Sequence, residues 1–371
     1  MKILFLSNTI DPTSGGYGRY TYDLQRALKH AGEEATSLPE FLGAELSDPF
    51  AYLTKPFLFL RDYRSIRRAI LQHQPNIVHI TFEPYALLVP LLPLGKAKVF
   101  LTVHGTYAYA PSFAPFGLHW LYRILFARAL ARLSGIVAVS DYTKQHLLRQ
   151  AMRDAVKLSA DFITTVHNGI SMSTYALPAA SAHEDGRKHI LTVAPAKSRK
   201  GLLESIRAMG VYKEQYGGIF FYHIVGSYEP DSQYYHSLEA EIQKYGLGEQ
   251  VSFLGRISDE ALREEYAQAD LFLMLPIVKP GSTPAFEGFG LVYLEANACG
   301  VPVIGSQKGG SAEAIKDGVS GFVVDAHDPN AVASKIHAVL DENAIARPAA
   351  RAWAEEHDIA IVAGQIQNFY R

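Results

Sequence analysis

The sequence has little cysteine, no recognisable metal-ligand pattern and no long apolar run. Cys299 is the single cysteine of 371 residues, which excludes a disulfide framework and argues against a cysteine-based metal site. Because there is no Asp-x-Asp motif and no His, Asp and Glu cluster at ligand spacing, we expect a metal-independent protein without a cofactor. No stretch reaches the roughly 20 apolar residues of a transmembrane helix, and Met1–Ser7 is too short for a signal-peptide core. We therefore expect a cytoplasmic protein, either free or peripheral on the inner face of a membrane.

Charged residues are also scarce, at 19% of the chain against 48% hydrophobic residues, a composition that favours packed cores over disorder. The net charge of -2 is unevenly divided. Residues 1–170 hold 18 Lys and Arg against 12 Asp and Glu, a net of +6, and residues 171–371 hold 17 against 25, a net of -8. A basic first half suits an anionic partner, and an acidic second half argues against a nucleic-acid partner.

Short apolar, β-branched runs alternate with helical segments along both halves of the chain. Strands that are apolar throughout are typical of parallel sheets covered by helices on both faces. The predicted strands are Lys2–Leu6, Ile77–Ile80, Lys98–Val103, Ile136–Val139 and Thr164–His167 in the first half, and His189–Val193, Phe220–Val225, Val251–Phe253, Leu271–Leu275, Val301–Gly305 and Gly321–Val324 in the second. The predicted fold class is α/β, with two Rossmann-like domains whose parallel sheets face an interdomain cleft.

A segment rich in Ser, Ala and Pro separates the two sets of strands. It predicts an N-terminal Rossmann-like domain on the acceptor side at 1–172, a linker at 173–188 and a C-terminal Rossmann-like donor domain at 189–350. A C-terminal helix at 351–371 is expected to pack back on the N-terminal domain. Ligands of open parallel sheets bind beyond the carboxyl ends of the strands. The residues expected near one cleft are Gly15-Gly16, His104-Gly105, Lys197–Gly201 and Glu287–Gly290.

The segment Glu287-Gly-Phe-Gly-Leu-Val-Tyr-Leu-Glu295 is the strongest functional signal. A Gly-Phe-Gly turn precedes an amphipathic helical pattern, so Glu287 lies before the helix and Glu295 lies two turns along it. The free N–H groups and the positive dipole end of a helix amino terminus suit a phosphate. Carboxylates on each side of that phosphate can accept hydrogen bonds from sugar hydroxyls. Two solvated acids flanking an ordinary loop are the alternative, which the glycines and the following Gly-Val-Pro strand disfavour.

Residues 287–305, with the glycines that follow at 309, 310, 318 and 321, closely resemble the signature of retaining GT-B glycosyltransferases of the family 4 type. The resemblance extends over most of the chain and includes Gly15-Gly16, His104-Gly105 and His167-Asn168-Gly169-Ile170. It implies metal independence, a contact of Glu287 with the donor sugar and a contact of Glu295 with the ribose hydroxyls. The donor-binding backbone that it implies consists of Gly288, Phe289, Gly290 and Leu291.

Lys197, Arg199 and Lys200 follow the first predicted strand of the second domain. Cations there would neutralise a diphosphate leaving group, although a solvated basic turn is an equal alternative on sequence alone. The family pattern has an arginine five or six residues before the lysine that matches Lys200, where this chain has Ala194 and Pro195. We expect Lys200 to bind the donor and take Lys197 as the candidate for the second cation.

Two candidate positions lie in the first half of the chain. The loop Asp11–Gly18 does not complete a dinucleotide fingerprint, so its glycines are weak evidence alone. The resemblance implies that Gly16, together with Gly15, contacts the donor phosphate. His104, which we take with Glu287 as the catalytic pair, is implied to contact the donor sugar rather than to act as a general base. A purely structural histidine is the alternative.

Two amphipathic stretches, Phe57–Leu71 and Trp120–Arg132, combine arginines with aromatic and aliphatic residues. Such helices suit an anionic membrane surface. The alternative, which the sequence favours slightly, is that they are helices packed on a sheet with their arginines in water.

The resemblance implies a retaining hexosyltransferase. It would move a sugar from a nucleoside diphosphate sugar, such as GDP-mannose or a UDP-sugar, to a hydroxyl of a glycan or lipid-linked acceptor in cell-surface polysaccharide or glycolipid synthesis. A nucleotide-sugar-binding partner subunit with little activity is one alternative, suggested by the missing arginine. A sugar-nucleotide epimerase on the same fold is another, and a phosphorylase is disfavoured because it needs a cofactor-bearing lysine and a longer chain.

Overall fold

The computed structural model describes residues 1–11, 15–38, 52, 55–105, 119–175, 186–278 and 286–371. The chain divides into two compact units. The first contains the described residues of 1–169 together with 359–371, and the second contains those of 170–278 and 286–358. Each unit has a sheet of six parallel strands with helices, so the α/β fold with two Rossmann-like domains is confirmed.

The first unit has the strand order β2-β1-β3-β4-β5-β6. Its strands are β1 (Lys2–Leu6), β2 (Glu34–Ser37), β3 (Ile77–Ile80), β4 (Lys98–Val103), β5 (Gly135–Ala138) and β6 (Ile163–Thr165). Its helices are α1 (Gly16–His30), α2 (Pro56–His73), α3 (His119–Leu130), α4 (Asp141–Arg153) and, from the far end of the chain, α11 (Ile359–Tyr370). The edge strand β2 has no counterpart among the predicted strands.

The second unit has the strand order β12-β11-β10-β7-β8-β9. Its strands are β7 (Lys188–Val193), β8 (Phe220–Val225), β9 (Val251–Gly255), β10 (Leu271–Leu273), β11 (Val303–Ser306) and β12 (Gly321–Val324). Its helices are α5 (Leu202–Tyr216), α6 (Gln233–Lys244), α7 (Asp259–Gln268), α8 (Leu291–Ala298), α9 (Pro329–Leu340) and α10 (Arg347–Glu355).

Side chains alternate between the two faces of the first sheet and pack into two hydrophobic cores, one on each face. Leu4 and Leu6 of β1 belong to the cluster that packs against α2, whereas Ile3 and Phe5 belong to the cluster formed with α1 and α11. Both faces are therefore covered, and ligands are left with the ends of the strands.

Helix α2, one of the two amphipathic stretches, is partly a packing helix. Ile66 and Ile70 are buried in the core, and Arg61 bonds the buried Asp62. Phe57, at 61% exposed, lies on the surface. The outer face of α2 thus combines apolar and basic groups, which is the pattern that the membrane interpretation requires.

Across the ranges that the structure describes, no helix is both long enough and apolar enough to cross a bilayer.

Candidate functional site

Helix α8 begins where the sequence places the phosphate-binding turn. Its N-cap is Gly290, which has φ +92° and provides no side-chain cap. A Cβ on Gly290 would lie 2.7 Å from the ring of Tyr293, so only glycine fits this turn. Leu291 is the first helical residue. The turn therefore presents main-chain donors and the positive end of the helix dipole.

Glu287 lies directly beside this turn, because a Cβ on Gly290 would be only 3.7 Å from the Glu287 Cγ. The main-chain carbonyl of Glu287 accepts a hydrogen bond of 2.8 Å from the N–H of Gly310. Burial acts to raise the pKa of Glu287, but the adjacent Lys200 and Arg199 cations outweigh it and hold that pKa below 4.5. Glu287 is therefore an ionised carboxylate at neutral pH.

Two cations meet on one oxygen of that carboxylate. Lys200 Nζ is 2.5 Å and Arg199 Nη1 is 3.2 Å from Glu287 Oε2. The short 3-10 turn Ser198–Lys200 directs both side chains to the same point, whereas the side chain of Lys197, at its N-cap, is exposed. In this structure Arg199 is thus the cation that joins Lys200 on Glu287, while the side chain of Lys197 lies at the surface.

Glu295 lies within α8 and is 8% exposed. Its Oε2 accepts a hydrogen bond of 2.8 Å from the hydroxyl of Tyr266, a fully buried residue of α7. This bond fixes the carboxylate while leaving its other oxygen for a further partner. Sequence reasoning does not identify this tyrosine, because it lies 29 residues from Glu295 in a different helix.

Phe289 and Gly288 complete the turn. The Phe289 side chain is 1% exposed and its ring lies 6.2 Å from that of His357, so it belongs to the core of the second unit. Any contact of Phe289 with a ligand is therefore limited to its backbone.

In the first unit, Gly15 and Gly16 lie at the start of α1. Gly15 is the N-cap, with φ +108°, and Gly16 is the first helical residue. Both are exposed, and a Cβ on either would meet no atom of the described residues within 4 Å. The backbone here is therefore open to a close approach by a ligand.

His104 follows β4 directly, and its ring packs edge-on against Tyr20 at 4.9 Å between centroids. Its Nε2 is buried and has no hydrogen-bond partner within the part of the chain that the structure describes. Burial lowers the pKa of His104 to about 3, so the ring is neutral. The His104 main-chain N–H donates a bond of 2.8 Å to Oε1 of Glu83, a buried acid that no sequence motif singles out. Burial raises the pKa of Glu83 to about 7, against the backbone hydrogen bonds that lower it.

The structure thus brings together Glu287, Lys200 and the turn of α8 in the second unit, and places His104 in the first unit near the amino end of α1. Among the residues with described positions there is no group of three or more His, Cys, Asp and Glu that would suit a metal ion.

Comparisons with known proteins identify glycosyltransferases as relatives over most of the chain. Residues 175–357 match the family model of glycosyl transferases group 1, and residues 14–174 match that of glycosyltransferase family 4. A GDP-mannose-dependent alpha-(1-6)-phosphatidylinositol monomannoside mannosyltransferase of Mycobacterium tuberculosis is 26% identical, over 95% of this chain and 93% of its own. The enzyme of the same name from Mycolicibacterium smegmatis is 39% identical over a shorter alignment, 29% of this chain and 28% of that one. A glycosyltransferase structure from Rickettsia africae, 22% identical, superposes with a TM-score of 0.73 over 100% of this chain and 97% of its own, which shows a shared GT-B fold.

Proposed function

This chain belongs to the family 4 type of GT-B glycosyltransferases, and on that basis we propose that it moves a hexose from a nucleoside diphosphate sugar to a hydroxyl group with retention of the anomeric configuration. The observation that supports this most directly is the meeting of Arg199 and Lys200 on Glu287 beside the amino end of α8. A helix terminus with two cations is suited to a diphosphate, and an ionised carboxylate is suited to sugar hydroxyls.

In the proposed donor complex, the N–H groups at the start of α8 and the Arg199 and Lys200 side chains bind the diphosphate. As the bond between the anomeric carbon and the phosphate oxygen breaks, negative charge accumulates on the leaving group, and the two cations stabilise it. Glu287 accepts hydrogen bonds from the sugar hydroxyls. Glu295, held by Tyr266, binds the ribose hydroxyls.

On the acceptor side, a hydroxyl of the acceptor forms the new bond to the anomeric carbon and gives its proton to a phosphate oxygen of the departing nucleoside diphosphate. The His104 ring is neutral, since its pKa is lowered to about 3. Its unpartnered Nε2 then serves as a hydrogen-bonding group toward the sugar. Gly15 and Gly16 provide open backbone for the donor phosphate.

We propose GDP-mannose as the first donor to test, because the relative from Mycobacterium tuberculosis that aligns over nearly its full length is named for it. A UDP-sugar is the second. The acceptor is proposed to be a glycan or a lipid-linked glycan, used in cell-surface polysaccharide or glycolipid synthesis in the cytoplasm.

We propose that the outer face of α2 contacts an anionic membrane that holds such an acceptor. Phe57 and Leu60 are 61% and 50% exposed, and Arg64, Arg67 and Arg68 are exposed beside them. Sedimentation with vesicles of phosphatidylglycerol and phosphatidylcholine tests this. We expect binding that is lost in Phe57→Ser/Leu60→Ser and unchanged in Ile219→Ser, a matched exposed site of the second unit. Equal binding of all three proteins would contradict it.

Mass spectrometry of the products formed from a panel of nucleotide sugars tests the proposed reaction. We expect free GDP or UDP and an acceptor heavier by one hexose. An isomerised nucleotide sugar with no released nucleotide would indicate an epimerase. Nucleotide binding in a thermal-shift titration, with no turnover of any donor, would favour a partner subunit. That alternative was suggested by Ala194 and Pro195, which stand where the family pattern has an arginine, and the position of Arg199 beside Glu287 argues against it.

A further inference from the structure

Glu83 is a buried acid whose presence the fold alone does not require. It begins the 3-10 segment Glu83–Leu91 that follows β3, and it is 5% exposed. No Lys or Arg side chain of the described chain forms an ion pair with it. Burying an unpaired carboxylate is costly, and an apolar residue of similar size would be cheaper for the fold. The Glu83 carboxylate therefore has a role that offsets the free-energy cost of burying it.

The hydrogen bond that Glu83 accepts indicates what that role is. Strands β3 and β4 are neighbours in register, with Ile80 beside Leu101, so the residues just after them meet at one edge of the sheet. There, Oε1 of Glu83 accepts the main-chain N–H of His104 at 2.8 Å. The bond fixes the peptide at which the chain leaves β4.

The ring of His104 is fixed from its other side. Tyr20 packs edge-on against it at 4.9 Å, and Tyr17 lies 6.3 Å away. With the backbone held by Glu83 and the ring held by α1, Nε2 is the ring atom left buried and without a partner among the described residues. The direction of Nε2 therefore depends on both supports.

We infer that Glu83 is a positioning residue for sugar transfer, which holds the backbone of His104 so that Nε2 of its ring meets the reacting sugar. This inference rests on the proposed function, because it assigns Glu83 a role through His104. Displacing a reacting group by about 1 Å costs up to ~100-fold in rate. Losing the support should therefore lower kcat while leaving the donor KM, which depends mainly on the second unit, nearly unchanged.

The test compares three replacements of Glu83 by steady-state kinetics with the donor found in the product screen. Glu83→Gln keeps an oxygen in reach of the N–H and is expected to stay within about threefold of wild-type kcat. Glu83→Met removes the acceptor, and Glu83→Asp shortens the side chain so that its carboxylate no longer reaches the N–H. Both are expected to lower kcat by ~10- to ~100-fold with a donor KM within about threefold of wild type. The Asp variant provides the same comparison should the Met variant not fold.

A double-mutant cycle separates positioning from a general loss of structure. If Glu83 acts through His104, adding Glu83→Met to His104→Ala lowers kcat no further than His104→Ala alone. Multiplicative losses, or Glu83→Met and Glu83→Asp variants with wild-type kcat, would overturn the inference while leaving the proposed function intact. A wild-type protein that transfers sugar from no donor would overturn the proposed function and this inference together.

Discussion

Replacing Arg199 by methionine removes the guanidinium while keeping an unbranched side chain in place of its aliphatic stem. In the structure this group is 3.2 Å from Glu287 and shares the carboxylate oxygen with Lys200. Lys197→Met is the matched control, because Lys197 lies two residues away and its side chain is exposed. If the second cation of the donor site is Arg199, only the first variant should affect transfer.

The size of the effect follows from the exposure of the group. At an effective dielectric constant of about 20, two charges roughly 3 Å apart interact by ~5 kcal/mol, which is a ceiling. The Arg199 side chain is 33% exposed, so solvent screens part of this. Hydrogen bonds to charged groups contribute ~1.5–3 kcal/mol net, and about 2 kcal/mol corresponds to a roughly 30-fold loss in kcat/KM.

Initial rates at varied donor concentration give kcat/KM for both variants, and calorimetric titration with the free nucleoside diphosphate gives its dissociation constant. We expect Arg199→Met to lose about 30-fold in kcat/KM and Lys197→Met to stay within about threefold of wild type. A Lys197→Met variant that loses as much as Arg199→Met would refute the assignment, since an exposed lysine would then be supplying the charge.

Three further results are expected. Glu287→Gln keeps the shape of the side chain but removes its charge, and we expect turnover to fall at least about tenfold; initial rates within about threefold of wild type would place the donor site elsewhere. Tyr266→Phe releases Glu295, and we expect the donor KM to rise roughly fivefold with kcat little changed, so an unchanged KM would argue against ribose binding by Glu295. The pKa of Glu83 is raised from 4.5 to about 7 on folding, so its ionisation destabilises the folded state: the penalty is absent below pH 4.5 and grows as pH rises to 7. The difference in free energy of unfolding between Glu83→Gln and wild type, measured by urea titration, should therefore increase by up to roughly 3 kcal/mol from pH 4.5 to pH 7 in favour of the variant. A difference that does not change with pH would show that Glu83 does not titrate in this range.

The main features of the fold follow from periodicity, and the exceptions have local causes. Strand β8 is largely apolar and begins and ends where the sequence predicts, and helix α8 begins directly after the Gly-Phe-Gly turn, as the sequence predicts. Strand β2, Glu34–Ser37, escapes prediction because it is a short edge strand whose sequence Glu-Ala-Thr-Ser has no apolar run. Helix α1 begins at Gly16, within the segment Asp11–Gly18 that is predicted as a loop, because glycines give little propensity signal at a helix start.

The sequence predicts where the candidate site lies, but not which side chains contact one another there. Sequence spacing placed Lys197, Arg199 and Lys200 in one turn, but only the geometry of that turn decides which side chains reach Glu287. Glu83 carries no signal in the sequence, because an acid after a buried strand is usually solvated. Its burial depends on packing between segments more than 20 residues apart in sequence.

The return of helix α11 to the first unit has a consequence for how the protein is made. Tyr370 of this helix bonds His79 at 2.5 Å, and Ile366 is buried in the cluster that contains Phe5 of β1. Between Gly169 and this helix lie residues 170–358, which a ribosome adding ~5–20 residues per second takes roughly 10 to 40 seconds to make. Throughout that interval, one face of the nascent first sheet has no cover from α11. The second unit can complete its fold before the first unit has all of its residues. We therefore expect the order of folding to reverse the order of synthesis. We also expect a chaperone to be most needed by the half of the chain that emerges first.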